Sequence, residues 1–183
     1  MDEEIIRVRQ SQNGDQAAFE ALIQSYQQMI HSLTFRMTGS VADAQDLAQE
    51  TFIRAYQHLD SYRSTAKFSS WLYRIAVNAC LDWRRREIRR GELNTQWSDA
   101  QAGEMPGPGA PTEADELSRE VQSALMQLPE KQRAAIVMTV YGGHNHVEAA
   151  AILGCSEPTV SWRIFSARRK LKKILSRKGG PHE

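Results

Sequence analysis

The sequence predicts an all-α protein built from two small helical domains joined by a flexible Gly/Pro-rich linker, the second domain being a helix-turn-helix. Three observations predict it. Apolar residues recur at steps of three and four along most of the 183 residues, with no strand-like alternation and no internal repeat. The stretch from Ala102 to Pro111 holds three prolines and three glycines. It breaks helix and strand alike, because each proline removes an amide donor and each glycine adds backbone entropy. Near the C-terminus a short helix, a glycine turn and a long basic helix follow one another, the layout of a DNA-binding helical hairpin. The boundaries read as 1–93 for the first domain, 94–115 for the linker and 116–183 for the second. The linker's roughly 22 residues reach ~75 Å when extended, about two turns of duplex DNA, so the domains could occupy separated sites.

The elements follow in order. Asp15 can cap a helix running to about Met37, with Phe19, Leu22, Ile23, Tyr26, Ile30, Leu33 and Met37 on one stripe, and Gly39 ends it. A second helix, about residues 41–58, carries Ala44, Leu47, Ala48, Thr51, Phe52 and Ala55 on one face and Asp43, Asp46 and Glu50 on another. A third, about 67–90, buries Phe68, Trp71, Leu72, Ile75, Ala76 and Ala79 and lines a polar face with Arg74, Asn78, Asp82 and Arg85. Beyond the linker, helices are expected over 113–128 and 130–140, with Pro129 suited to a break or a first helical position.

Charge is distributed unevenly. Residues 1–95 balance at zero, 96–130 carry −6 and 131–183 carry +7, within a net +1. A basic C-terminal domain beyond an acidic connector suggests a polyanionic partner, an ordinary solvated helix face being the bland alternative. The acidic start, Met1-Asp2-Glu3-Glu4, is unlike a secretory signal, and no apolar run approaches a membrane span, so a cytoplasmic protein with no membrane insertion of its own is expected. Cys80 and Cys155 sit in no metal or redox spacing and read as reduced thiols at packed positions.

Two constellations carry chemistry. Asn145-His-Val-Glu148 fits a capping box opening a short helix to Leu153. Gly154-Cys155 turns the chain, and Ser156-Glu-Pro158 starts a helix that runs into Arg168-Arg-Lys-Leu-Lys-Lys173. Val160, Ile164 and Leu171 would face the core, with Ser161, Trp162, Arg163 and Ser166 near the groove-facing arc and the basic tail on phosphates. The second constellation joins Leu59-Asp-Ser-Tyr-Arg63 to the helix ending Asn78-Ala-Cys-Leu-Asp-Trp-Arg-Arg-Arg86. Aromatic faces, an amide and arginines together suit unstacked bases, although Tyr62 and Trp83 could equally be core.

At these residues a resemblance becomes specific. The run Asp43-Ala-Gln-Asp-Leu-Ala-Gln-Glu-Thr-Phe52 with Ala55-Tyr56 and Leu59 resembles the polymerase-binding helix of the extracytoplasmic-function (ECF) sigma factors. Phe68-Ser-Ser-Trp-Leu-Tyr-Arg-Ile-Ala-Val-Asn78, with Asp82 and Arg84–Arg86, is similar to their promoter-melting helix. Leu128-Pro-Glu-Lys-Gln-Arg133 and the helix-turn-helix through Arg168 resemble their minus-thirty-five-reading domain. The resemblance covers about 12–95 and 113–175 and implies a non-enzymatic transcription initiation factor, of the kind that serves stress responses. Its implied partners are core RNA polymerase, promoter DNA and an anti-sigma factor. Asp43, Asp46, Leu47, Gln49, Glu50 and Phe52 would bind polymerase or shape the surface that does. Tyr62, Arg63, Lys67, Arg74, Asn78, Arg84, Arg85 and Arg86 would serve the minus-ten element. Thr159, Ser161, Trp162, Arg163, Ser166, Arg168 and Lys172 would serve the minus-thirty-five element.

The chain departs from that family at Ser161 and Ser166, where arginine is frequent, and at Trp162, where a small residue is usual. His144 and His146 replace an aliphatic and an aromatic residue. A metal site would need further ligands that no nearby Cys or Asp supplies, so these read as structural or surface histidines, a pH-responsive contact being the alternative. No cofactor and no metal are expected. Two other readings remain: a dimeric DNA-binding regulator, which leaves the 43–52 and 68–78 helices unexplained, and a small helical enzyme, for which no nucleophile–base pair or phosphate loop is present.

Overall fold

The structure, a computed structural model, describes residues 3–91 and 113–178. Most of the expected linker therefore lies outside the described residues. Among the described residues the chain is all-α, with eight helices and no strand: α1 (Glu3–Gln12), α2 (Gln16–Thr38), α3 (Val41–Gln57), α4 (Phe68–Arg90), α5 (Glu113–Met126), α6 (Glu130–Ile136), α7 (His146–Leu153) and α8 (Glu157–Lys178). No described helix is long and apolar enough to cross a membrane.

Local chemistry explains most boundaries. Asp15 caps α2 by accepting from the Ala18 amide, and Gly39 stops it in the left-handed region at φ 75°, where a Cβ would be strained. Ser40 caps α3 through the Asp43 amide. Asn145 and Glu148 close a reciprocal capping box on α7, and Gly154 ends that helix at φ 60°.

Two places differ from the sequence reading. The helix α1, not foreseen, buries Val8 and Ser11, pairs Arg7 with Glu3 at 2.5 Å, and sends Glu4 to the Tyr26 hydroxyl. Gln12 then holds the Leu59 and Tyr62 carbonyls at 2.9 and 3.2 Å. The helix expected over 130–140 keeps α geometry only to Ile136 and widens into a π turn over Val137–Tyr141. The Gly142 amide donates to the Val137 carbonyl at 2.9 Å and the His144 amide to Met138 at 3.1 Å. A Cβ on Gly142 would stand 2.7 Å from the Met138 carbonyl oxygen, so only glycine fits this return of the chain.

Helices α1–α4 pack around Ile30, Leu33, Leu47, Phe68, Leu72 and Ala76, all nearly inaccessible to solvent. Helices α5–α8 pack around Leu125, Ala135, Met138, Ile152, Val160 and Ile164. The two groups also touch each other, with α7 against α4 and α5 and α6 against α2. Arg133 is the strongest tie. Only 1% exposed, it donates to the carbonyls of Leu125, Met126 and Leu128 at 2.9–3.0 Å and, across the divide, to Met37 at 2.5 Å. Burial, with Arg84 nearby, draws its pKa down to about 10, so it stays charged at neutral pH.

Candidate nucleic-acid interface

The first surface lies between α2 and α3. There Phe19, Ile23, Gln49, Phe52, Ile53 and Tyr56 line an open groove of about 990 Å³. Tyr56 and Ile53 are about half exposed, with Tyr56 resting on Phe19 at 4.9 Å between ring centroids. Asp46 and Gln49 are exposed on α3, Asp43 is half-buried in its first turn, and Glu50 is half-buried between Arg54 and Arg86. Leu47 is 2% exposed and points into the core, so it shapes the surface without being part of it. An apolar groove rimmed by glutamines, with Asp46 exposed on the same helix, suits a partly apolar protein partner.

The second surface is the outer face of α4 and the loop before it. Arg63 and Lys67 are exposed, as are Arg74 and Asn78 one turn apart. Tyr62 is 7% exposed. Its hydroxyl donates to the Ala66 carbonyl at 2.6 Å, and its ring stands edge-on to Phe68 and tilted against Trp71. Burial, with Glu4 adding to it, raises the Tyr62 pKa. Trp83 is half-buried against the same core. Both rings thus pack as core residues, and Tyr62 braces the 59–67 loop. Asn78 lies two turns beyond Trp71, about 10 Å along the helix.

The arginine run at the end of α4 diverges. Arg84 turns inward to Glu130 at 3.5 Å, Arg85 pairs with Asp82 at 3.0 Å, and Arg86 reaches Glu50 at 3.7 Å. Arg85 and Arg86, with Arg54, Asp82 and Arg89, line a second, mainly basic pocket.

The third surface is the helix-turn-helix. Val160, Ile164 and Ala167 are buried, and Leu171 packs on the core, as its spacing requires. Most polar residues of the first turns of α8 are engaged within the module. Thr159 bonds Ser156 at 2.8 Å, Ser161 bonds His146 at 2.9 Å, Arg163 donates to the Cys155 sulfur at 3.3 Å, and Ser166 accepts from Gln132 at 3.1 Å. Trp162 and Phe165 are 63% and 66% exposed, and Arg168 and Lys172 follow on the exposed side. Phe165 escaped the sequence reading, although its step of three from Trp162 could have found it.

The α4 face and the helix-turn-helix meet. Arg74 donates to the Ala151 carbonyl in the last turn of α7 at 2.5 Å, and Tyr73 meets the His144 ring edge-on at 4.7 Å. Arg36 lies 3.7 Å over the Tyr141 ring, and Gln122 donates to the Phe35 carbonyl at 3.2 Å. His144 has its Nδ1 3.7 Å from Glu148, and its side chain is only 9% exposed. Burial, opposed by Glu148 and reinforced by Lys67, lowers its pKa. Arg36 Nε, Gln122 Oε1, Gln132 Oε1 and His144 Nε2 are buried with no protein hydrogen-bond partner, and buried Arg84 Nε meets only the Glu130 carboxylate at 3.5 Å. The Arg36, Arg84, Gln122 and His144 side chains lie where the two groups of helices touch. Among the described residues no cluster of His, Cys, Asp or Glu could hold a metal ion, and Cys80 and Cys155 are free thiols.

Comparison with known proteins agrees with this layout. The sigma-70 region 2 family model matches residues 22–90, and the sigma-70 region 4 model matches 118–171. The chain is 37% identical over 179 residues to the ECF RNA polymerase sigma factor SigW of Bacillus subtilis, covering 92% of this chain and 95% of that one. It is 36% identical over 174 residues to the ECF RNA polymerase sigma-E factor of Escherichia coli, covering 91% of each. Among solved structures it is similar to CnrH in complex with the cytosolic domain of CnrY, with a TM-score of 0.70 and 29% identity over 96% of this chain and 99% of that one. The sigma factor RpoE of Bartonella quintana, solved with the anti-sigma factor NepR, shares the fold at a TM-score of 0.71 and 24% identity, over 86% of this chain and 96% of that one. With a sigma-70 region at each end and full-length relatives of one kind, the chain belongs to the ECF RNA polymerase sigma factors.

Proposed function

We propose that this chain recruits core RNA polymerase to specific promoters and helps melt them, acting in the cytoplasm as a specificity subunit with no catalysis of its own. The observation that carries the reading is a single packed unit in which α3 borders an apolar, glutamine-rimmed groove and exposes Asp46, while α4 exposes Arg74 and Asn78. One face fits a protein partner and the other fits unpaired DNA. Asp43, Asp46, Gln49, Glu50 and Phe52 contact polymerase, and Leu47 supports them from within. Arg63, Lys67, Arg74 and Asn78 engage the minus-ten element, Asn78 bonding a base edge while Tyr62 braces the loop. Arg85 and Arg86 hold the flanking backbone, and Arg84 becomes available to it once it leaves Glu130. Thr159, Ser161, Trp162, Arg163, Ser166, Arg168 and Lys172 lie toward the minus-thirty-five element.

We assign these roles to a first domain at 1–93 and a second at 116–183, with 94–115 as the linker between them. The Arg74–Ala151 bond supports a further step, in which promoter binding separates α7 from α4. A protein regulator of the anti-sigma kind is supported by CnrH, which is solved with the cytosolic domain of another protein bound. The test is run-off transcription with the full chain and core polymerase on genomic fragments. Discrete start sites that require the chain are expected; duplex binding without recruitment or initiation would refute the reading.

A further inference from the structure

We infer that Trp162 and Phe165 read thymine, through its 5-methyl group, in the major groove of the upstream promoter element. The inference deepens, and rests on, the promoter-reading function proposed above. The polar candidates on α8 are already engaged. Thr159, Ser161, Arg163 and Ser166 each hold a partner inside the module, at 2.8, 2.9, 3.3 and 3.1 Å. Each would exchange an existing bond for one to a base edge, so little is gained on binding.

Trp162 and Phe165 have nothing to give up except water. They stand opposite the buried Val160–Ile164–Ala167 stripe, 63% and 66% exposed. Their row continues through Arg169 and Lys172, both exposed, at steps of four and three. An apolar pair at the start of the helix, running into cations at its end, matches the order in which a recognition helix meets base edges and then phosphates. The +7 charge of residues 131–183 favours a polyanion over a protein as the occupant. The apolar group that a base pair presents in the major groove is the thymine methyl.

The test uses holoenzyme assembled from the full chain and core polymerase. A promoter is first selected from a library randomised upstream of a mapped start site. Each thymine of the selected upstream element is then replaced by deoxyuridine, which removes only the methyl. At one or two positions the promoter concentration for half-maximal initiation should rise about 4-fold, the worth of one buried methyl group. In Trp162→Ser or Phe165→Ser holoenzyme, thymine and uracil templates should become equivalent at those positions. Both side chains are exposed, and unchanged thermal unfolding will show that the variants fold. Equal wild-type initiation on thymine and uracil templates overturns the inference while leaving the promoter-reading function standing. A uracil penalty that persists in both variants also overturns it. So does a loss confined to binding of a co-purifying protein, which would make the pair a protein contact. No chain-dependent initiation on any template would instead sink the proposed function itself, and this inference with it.

Discussion

Replacing Arg133 by leucine should destabilise the protein by ~3–5 kcal/mol. The side chain donates to four carbonyls, and leucine fills much of the space without supplying a donor. The Leu125 carbonyl keeps the Leu128 amide at 3.0 Å, so three acceptors, on Met37, Met126 and Leu128, lose the arginine. Met37 and Met126 lie in the last turns of α2 and α5, where no later amide of the same helix can replace it. At ~1–3 kcal/mol each, the three sum to at least ~3 kcal/mol. Relief of the desolvation that pulls the arginine pKa down to about 10 caps the loss. In a chain of this size ~3–5 kcal/mol corresponds to a fall in Tm of roughly 6–20 °C, read by far-UV circular dichroism. Arg133→Lys should recover less than half of the loss, because one ammonium cannot span carbonyls on two helices. A fall of under ~1 kcal/mol in Arg133→Leu would refute the reasoning, since the carbonyls would then have other adequate partners.

Three further outcomes are expected. Asp46→Arg with Gln49→Ala should weaken core polymerase binding in a pull-down without lowering Tm, because both side chains are exposed; unchanged binding would move the polymerase surface elsewhere. Asn78→Ala should assemble into holoenzyme yet lose roughly 1–3 kcal/mol of open-complex stability, and wild-type permanganate reactivity at the start site would remove Asn78 from melting. Acidification should loosen the α4–α7 contact, because burial holds His144 below its usual pKa of 6.5. The contact is then fully present above that value and lost as pH falls through the lowered one. Energy transfer between dyes on α2 and α8 should fall with pH in the wild type and stay flat in His144→Phe; an unaltered pH response in the variant would exclude this histidine.

The parts of the fold legible in the sequence are those whose cause is local. Asp15, Gly39, the Asn145–Glu148 box and Gly154 act on amides and carbonyls within a few residues, and apolar spacing alone placed Val160 and Ile164 inside. Helix α1 escaped because its short run mixes Ile5, Ile6 and Val8 with charges, so its apolar face is hard to read. Its acidic first turn, its basic last turn and the Glu3–Arg7 spacing were the available signals. The contacts between the two groups of helices left less trace. Arg74, Arg133 and Gln122 bond backbone carbonyls of Ala151, Met37 and Phe35, and a carbonyl carries no residue identity. The Arg163–Cys155 contact left no trace either, since nothing in the type of Arg163 reveals that Cys155 lies within its reach.

The partnerless buried atoms of Arg36, Gln122 and His144 bear on what protein engineering could do with this chain. Filling their sites with well-matched apolar side chains would raise the melting temperature, since each buried orphan costs ~1–3 kcal/mol and apolar replacements of like volume do not. Yet that gain would fall entirely on the folded-together arrangement, whose closure occupies Arg74. A thermostabilised version chosen by heat alone would drift toward a jammed latch, hardier in the tube and slower to start a transcript. Selection for speed of initiation should therefore preserve the very imperfections that selection for heat resistance would erase.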